Sequence, residues 1–245
     1  RNPGSGGVMC GRYVVASEPV QLAERFAAVD RTDGAVRVDY NVTPTKTVPI
    51  VVERGGQRTI RPVRWGLIPT WAKQADSGPP LINARAETLT SKPSFAESAA
   101  RRRCLMPATG WYEWRPDDSR RQPFLCTRSD GAELAMAAVF SAWLPPGERQ
   151  PLVTCAVVTT EAFGELADVH PRMPLVLPAS RWGEWLDQQR TEVTGLLEPD
   201  PAVYRALEIR PVSTEVNNMR NNHPGLLERV EPAPEPAEQA VLFGS

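Results

Sequence analysis

Between residues 47 and 159 the chain is a succession of short β-type runs broken by turn residues, and this rhythm constrains the fold more than any other feature. Residues 47–53 and 58–64 flank Gly55-Gly56 and predict a hairpin, although alternation in the second arm is only partial. Runs at 104–107, 110–114, 123–128, 134–142 and 151–159 follow, with Asp117-Asp118 and Asp130-Gly131 as turns between them. Helices are expected at 17–29, capped by Ser17, and at 94–102, 160–169, 180–189 and 200–207. Short strands are expected at 175–177 and 209–212, and Tyr40-Asn41-Val42-Thr43-Pro44 reads as an extended loop. The pattern predicts one α+β domain, with a mixed, largely antiparallel sheet curved into a barrel-like core and helices outside it.

Composition narrows the function classes. Hydrophobic content of 41% with seven Trp supports a real core. No apolar run reaches the 18 residues that a membrane span needs, and no export signal is visible, so the expectation is a cytoplasmic protein. The four Cys, at 10, 104, 126 and 155, form no CxxC pair and accompany only two His, so neither a structural zinc site nor any other metal or cofactor is expected. Residues 1–8, with three Gly, one Ser and one Pro, read as an expression leader. The net charge of −1 is uneven: residues 224–245 hold four Glu and one Arg, leaving +2 for the rest. That terminal segment, rich in Pro, Glu and Ala, is expected to be a disordered acidic tail. Only three of the 28 basic residues are Lys; Arg groups at 58, 61 and 64, at 101–103 and at 120–121 permit a nucleic-acid groove without requiring one.

Behind the leader stands Met9-Cys10-Gly11. Removal of Met9 makes Cys10 a first residue, with a free α-amine (pKa ~7.7–8.0) beside a thiol (pKa ~8.5). Such a 1,2-aminothiol condenses with an aldehyde to an imine and then closes a thiazolidine ring. An internal Cys cannot do this, because its nitrogen is an amide. The plainer alternative is a small packed thiol.

Several other segments carry candidate chemistry. Asn83, Arg85 and Glu87 alternate, so an extended run sets an amide, a guanidinium and a carboxylate on one face, with Arg85 a phosphate clamp. A salt-bridged exposed strand has the same pattern. Gly110-Trp111-Tyr112-Glu113-Trp114 sets a carboxylate among aromatics: facing inward, Glu113 is a desolvated proton shuttle, and facing outward, a plain strand Glu. His170, before Pro171-Arg172-Met173-Pro174, is an acid or base or a structural histidine, and His223 is a weaker candidate. Trp65 and Trp71 either stack on unpaired bases or fill the core beneath a long loop.

The strings Met9-Cys10-Gly11-Arg12-Tyr13, Tyr40-Asn41-Val42-Thr43-Pro44, Arg64-Trp65-Gly66-Leu67-Ile68-Pro69, Ile82-Asn83-Ala84-Arg85-Ala86-Glu87-Thr88, Gly110-Trp111-Tyr112-Glu113-Trp114 and His170-Pro171-Arg172-Met173-Pro174 resemble, in order and spacing, the SRAP family of abasic-site processing proteins, also called SOS-response-associated peptidases. The resemblance spans residues 9–222. It implies a monomeric, nucleoid-associated protein that binds single-stranded DNA and crosslinks abasic sites through a thiazolidine at Cys10. It implies active-site roles for Asn83, Glu113 and His170, phosphate contacts from Arg12, Arg85 and Arg172, and a DNA channel built from Asn41, Pro44, Trp65 and Trp71. The first residue of the sequence is Arg1, so the thiazolidine requires removal of everything before Cys10. A thiol autopeptidase using Cys10 and His170, or a passive single-strand binder, are the alternatives.

Overall fold

The computed structural model describes residues 11–75, 78–116, 118–119 and 121–232. Cys10, residues 1–8, Asp117, Arg120 and the chain after 232 lie outside the described residues. In chain order the elements are β1 (Tyr13–Val15), α1 (Pro19–Arg25), β2 (Ala28–Asp30), β3 (Asp39–Val42), β4 (Thr47–Arg54), β5 (Gln57–Trp65), β6 (Asn83–Arg85), α2 (Ala96–Arg101), β7 (Arg103–Ala108), β8 (Gly110–Trp114), β9 (Pro123–Arg128), β10 (Leu134–Trp143), β11 (Leu152–Glu161), α3 (Glu165–Val169), β12 (Arg172–Pro174), α4 (Ala179–Leu186), α5 (Pro201–Arg205) and β13 (Leu207–Pro211).

Two sheets form a single α+β domain. The smaller runs β13-β9-β8-β1-β3, and the larger β12-β11-β10-β7-β4-β5-β2. The larger sheet closes on itself, because β11 also pairs in parallel with β5, Thr154 opposite Arg64 and Cys155 opposite Trp65. The strands β5, β4, β7, β10 and β11 therefore make a ring. On the β5 edge of β11, β6 continues the ladder, with Asn83 opposite Val157 and Arg85 opposite Thr159. On the β10 edge, β12 takes over, with Thr159 opposite Pro174 and Glu161 opposite Arg172. The barrel-like, mixed sheet expected from the run of short strands is what the chain builds.

The smaller sheet has two buried faces. Tyr13, Val15, Trp111 and Cys126 point into the main core, while Val14, Tyr112 and Leu125 pack on Val212, Val216 and Leu226 in a second core. This explains why Gly110–Trp114 carries aromatics on both faces. The Gly55-Gly56 turn has φ of 59° and 76°, the doubly left-handed geometry whose twist suits a two-residue hairpin.

Arg103 is fully buried, and among the described residues it forms no ion pair. Its Nε donates to Trp185 O at 2.7 Å, and its Nη1 to Ala99 O at 2.7 Å and Ala100 O at 2.8 Å; Nη2 donates to Asp187 O. These carbonyls close the C-terminal ends of α2 and α4, where the helix dipoles favour a cation.

Several expected boundaries move. The first helix stops at Arg25; Ala27 turns left-handed (φ 49°), and Val29 pairs in parallel with Thr59 of β5. Its cap is Glu18, with Gln21 returning the bond, and the Ser17 hydroxyl goes to Glu133 instead. Residues 39–42 are a strand rather than a loop, because β1 needs an edge partner. Thr160 and Glu161 complete β11, leaving only Glu165–Val169 helical. The expected strand at 175–177 shifts to β12, with Val176 retained as a bridge to Met136. The tail boundary at 224 is also corrected. Leu226 is 0% exposed in the second core, and the Val230 N–H bonds Pro211 O at 3.0 Å, because the outer face of the smaller sheet needs that cover.

Arg103→Met removes the donor from four carbonyls at once, two of them in fully buried bonds. The expected loss of unfolding free energy is about 3 kcal/mol or more, checked by urea denaturation.

Candidate functional site

The strand β8 positions the carboxylate. Alternation puts Trp111 and Glu113 on the main-core side and Tyr112 and Trp114 on the other. Glu113 is consequently only 3% exposed. The neighbouring β1 runs antiparallel, with Tyr13 opposite Trp111 and the Tyr112 N–H bonded to Arg12 O at 3.0 Å. Continuing that register sets Gly11 opposite Glu113. Gly11 brings no side chain to cover the carboxylate, and Cys10 is one peptide bond further on.

Asn83 and His170 are tied to the C-terminal half of β11 from its two edges. Half-buried Asn83 opens β6. His170, 8% exposed, ends α3 immediately before β12. Its Nδ1 accepts from the Arg172 N–H at 3.1 Å. Burial lowers its pKa, opposed in part by a hydrogen bond with the Arg172 backbone and aided slightly by the Arg172 charge, so the balance favours the neutral imidazole. Arg172 reaches across β11: Nη2 donates to Thr159 O at 2.7 Å, while Nη1 and Nη2 meet Glu87 Oε1 and Oε2 at 2.6 and 3.0 Å. This pairing holds the Glu87 carboxyl below the usual range. Contact with the smaller sheet comes through Tyr13, whose ring meets Trp65 edge-on at 5.3 Å; the Trp65 indole N–H donates to Ile82 O, next to Asn83, at 3.0 Å.

The residues expected to meet DNA divide into scaffold and surface. Asn41 is fully buried. Its Nδ2 reaches the carbonyls of Val216, Asn218 and Asn221, and its Oδ1 accepts from Arg12 Nη1 at 2.8 Å. Arg12 also donates to Val216 O at 2.7 Å and lies 5.7 Å over the Trp114 ring. Trp65 is 1% exposed and belongs to the core, so it offers no ring face to a base. At the surface stand Arg85, the half-buried Pro44, and Trp71, 64% exposed. Trp71 forms a wall of a groove of about 630 Å³, with Thr45, Arg64, Pro69 and Lys73 among its lining. Gly66 shapes this groove: its φ is +125°, and a Cβ there would lie 3.0 Å from Pro80 Cβ. The indole N–H of Trp143 holds the Trp71 loop through Ala72 O at 2.6 Å. Sequence reasoning missed Lys73, and it saw Arg64 only as part of a strand cluster. Their signal was proximity to Trp71 and Trp65 in the chain.

Among the described residues, Cys104, Cys126 and Cys155 are all fully buried, and burial pushes each thiol well above its ordinary pKa, which makes them inert nucleophiles. No group of three or more His, Cys, Asp and Glu gathers as a metal would need among the described residues. No helix among them is long and apolar enough to cross a membrane.

The model of the family described as SOS response associated peptidase (SRAP) matches residues 9–219. The chain belongs to this family. Its relatives include the abasic site processing protein YoqW of Bacillus subtilis (strain 168), 36% identical over 90% of this chain and 99% of that protein. The abasic site processing protein YedK of Escherichia coli (strain K12) is 33% identical over 91% of this chain and 100% of that one. The SRAP fold is shared by a crystal structure of a Bacteroides thetaiotaomicron protein, with TM-score 0.81 and 22% identity, covering 91% of this chain and 100% of that one.

A neutral, buried His170 has a sign for stability. Its folded pKa lies below the ordinary value of about 6.5, so the unfolded chain takes up the proton first as pH falls. Stability from this group is complete above about pH 6.5 and is lost progressively below it. Between about pH 7.5 and pH 5 the wild-type melting temperature should fall further than that of His170→Gln, as scanning calorimetry would record.

Proposed function

We propose that this SRAP protein processes abasic sites in damaged DNA by covalent capture on single strands, with Cys10 as the reacting residue once it is the first residue of the chain. The supporting observation is Glu113: a buried carboxylate whose register partner is Gly11, the residue that follows Cys10 in the chain. The names of the relatives point to the same class of DNA lesion.

An abasic sugar opens to an aldehyde on a polyanion. The Cys10 amine adds to the aldehyde carbon, and the carbinolamine loses its hydroxyl as water to give an imine. Glu113 takes the proton from the amine and returns one to the departing hydroxyl. The Cys10 sulfur then adds to the imine carbon, its proton passing to nitrogen, and a thiazolidine closes. The product is protein plus DNA less one water. Asn83 hydrogen-bonds the reacting groups, and His170, neutral at working pH, donates from its outer nitrogen as the sugar ring opens. Arg85 contacts phosphate, with Arg12 and Arg172 as fixed positive charge behind it. The groove beside Trp71 takes an unpaired base, which a continuous duplex does not offer.

Protein beginning at Cys10, incubated with single-stranded DNA carrying one abasic site, should give a heat-stable adduct of that mass. Cys10→Ala should give none, and Glu113→Gln should slow its formation by roughly 100-fold or more. An adduct that survives Cys10→Ala refutes the reading, and equal binding of abasic and intact strands without adduct favours a passive binder. Trp71→Ala should weaken binding of intact single strands by about 1–3 kcal/mol in a fluorescence titration, with little effect on duplex.

A further inference from the structure

We propose that Glu87 is a positioning residue for His170: its two-pronged ion pair with Arg172 fixes the 170–172 turn so that the Arg172 N–H fills His170 Nδ1 and the neutral ring carries its proton on Nε2. The inference rests on the reading of His170 as a site residue, and it adds a residue that the proposed chemistry does not itself employ.

The geometry is a relay across the end of β11. Glu87 lies just past β6, in a short 3₁₀ turn over Ala86–Thr88. Arg172 opens β12, on the opposite edge of β11. The guanidinium bridges the two edges, with both nitrogens on Glu87 and Nη2 also on Thr159 O. Its side chain is 13% exposed, while that of Glu87 is 51% exposed. With its Glu87 end half in water, the pair is screened and contributes little to stability, so its value lies in orientation. What it orients is the Arg172 backbone. Both Arg172 N and Arg172 O lie 3.1 Å from His170 Nδ1. The amide hydrogen is a fixed donor; a hydrogen on Nδ1 could bond the Arg172 carbonyl at the same distance, but only with the two hydrogens set against each other. The ring therefore accepts at Nδ1 and keeps its proton on Nε2. That tautomer makes His170 a neutral donor toward a sugar oxygen. Releasing Arg172 lets the turn relax and opens the other tautomer, whose outer nitrogen can only accept.

The chain has two His, so ¹⁵N spectra of labelled protein resolve His170 from the exposed His223. Wild type should show a protonated Nε2 and an unprotonated Nδ1 on His170. Glu87→Gln and Glu87→Ala should move those signals toward a tautomer mixture and leave His223 unchanged. Crosslinking to abasic DNA in single turnover should slow about tenfold, the scale on which groups that orient a histidine act, while affinity for intact single strands changes little. Glu87→Asp should recover part of both effects; should Glu87→Ala fail to fold, the Gln and Asp variants supply the comparison. A protonated Nδ1 in wild type, or His170 signals unmoved by Glu87→Gln, overturns the assignment. Tautomer signals that shift as stated in a protein that forms no crosslink support the assignment and refute the functional reading instead.

Discussion

The parallel pairing of β5 with β11 is the constraint on which the rest depends. An open sheet would leave Trp65 and Cys155 at an unpaired edge; closure puts them opposite each other and buries both. It also decides where the chain goes next. Gly66 leaves β5 with its N–H on Cys155 O at 2.9 Å and a φ that other residues rarely adopt, and the groove loop begins there. The ring then hands the free stretch of β11 to β6 and β12, the two short strands that bear Asn83 and lead from His170. Ring closure thus fixes the groove and the two edges of the candidate site together.

Polar residues do much of the holding, each through backbone carbonyls rather than opposite charges. Arg103 closes two helix ends, Asn41 gathers three carbonyls of the 216–221 segment, and Arg12 adds a fourth contact to Val216. A planar guanidinium presents five donors in a rigid fork, so it can satisfy carbonyls on two different elements from one position. This accounts for part of the heavy use of Arg in a chain of near-zero net charge. It also explains why a basic residue can serve the scaffold: Arg12 turns its Nη1 inward, to Asn41 Oδ1 and Val216 O. Arg85, by contrast, is exposed on β6.

Much of the architecture was legible because local signals agreed with the global fold. The hairpin at Gly55-Gly56 and the strands β7 to β11 follow from turn residues and apolar runs. What stayed open was facing. Period two assigns Glu113 and Trp111 to one side of β8, yet with aromatics on both sides only the second core, built from Val212, Val216 and Leu226, shows which face meets the barrel. The Asn83–Arg85–Glu87 alternation predicts one strand face. The strand ends at Arg85, and a 3₁₀ turn swings Glu87 toward Arg172, a partner 85 residues away that no local pattern announces. Trp65 and Trp71 are indistinguishable by residue type; a backbone neighbour on β11 makes one core and leaves the other on the surface.

The same physics sorts the thiols. Burial that raises a thiol's pKa removes the thiolate, and with it both nucleophilicity and susceptibility to oxidation. Cys104, Cys126 and Cys155 sit inside the packed barrel and its abutting sheet, where they serve as small apolar side chains. A protein that traps aldehydes through sulfur benefits from this division, because a competing exposed thiol would form reversible adducts with the same lesion but could not close a ring. Ring closure needs an amine on the adjacent carbon, and only a chain terminus supplies one. The fold therefore needs to do two things for such chemistry: keep internal sulfur silent, and lead the start of the chain past a buried carboxylate. The described structure does the first at all three positions, and β1 carries Gly11 to the register position opposite Glu113.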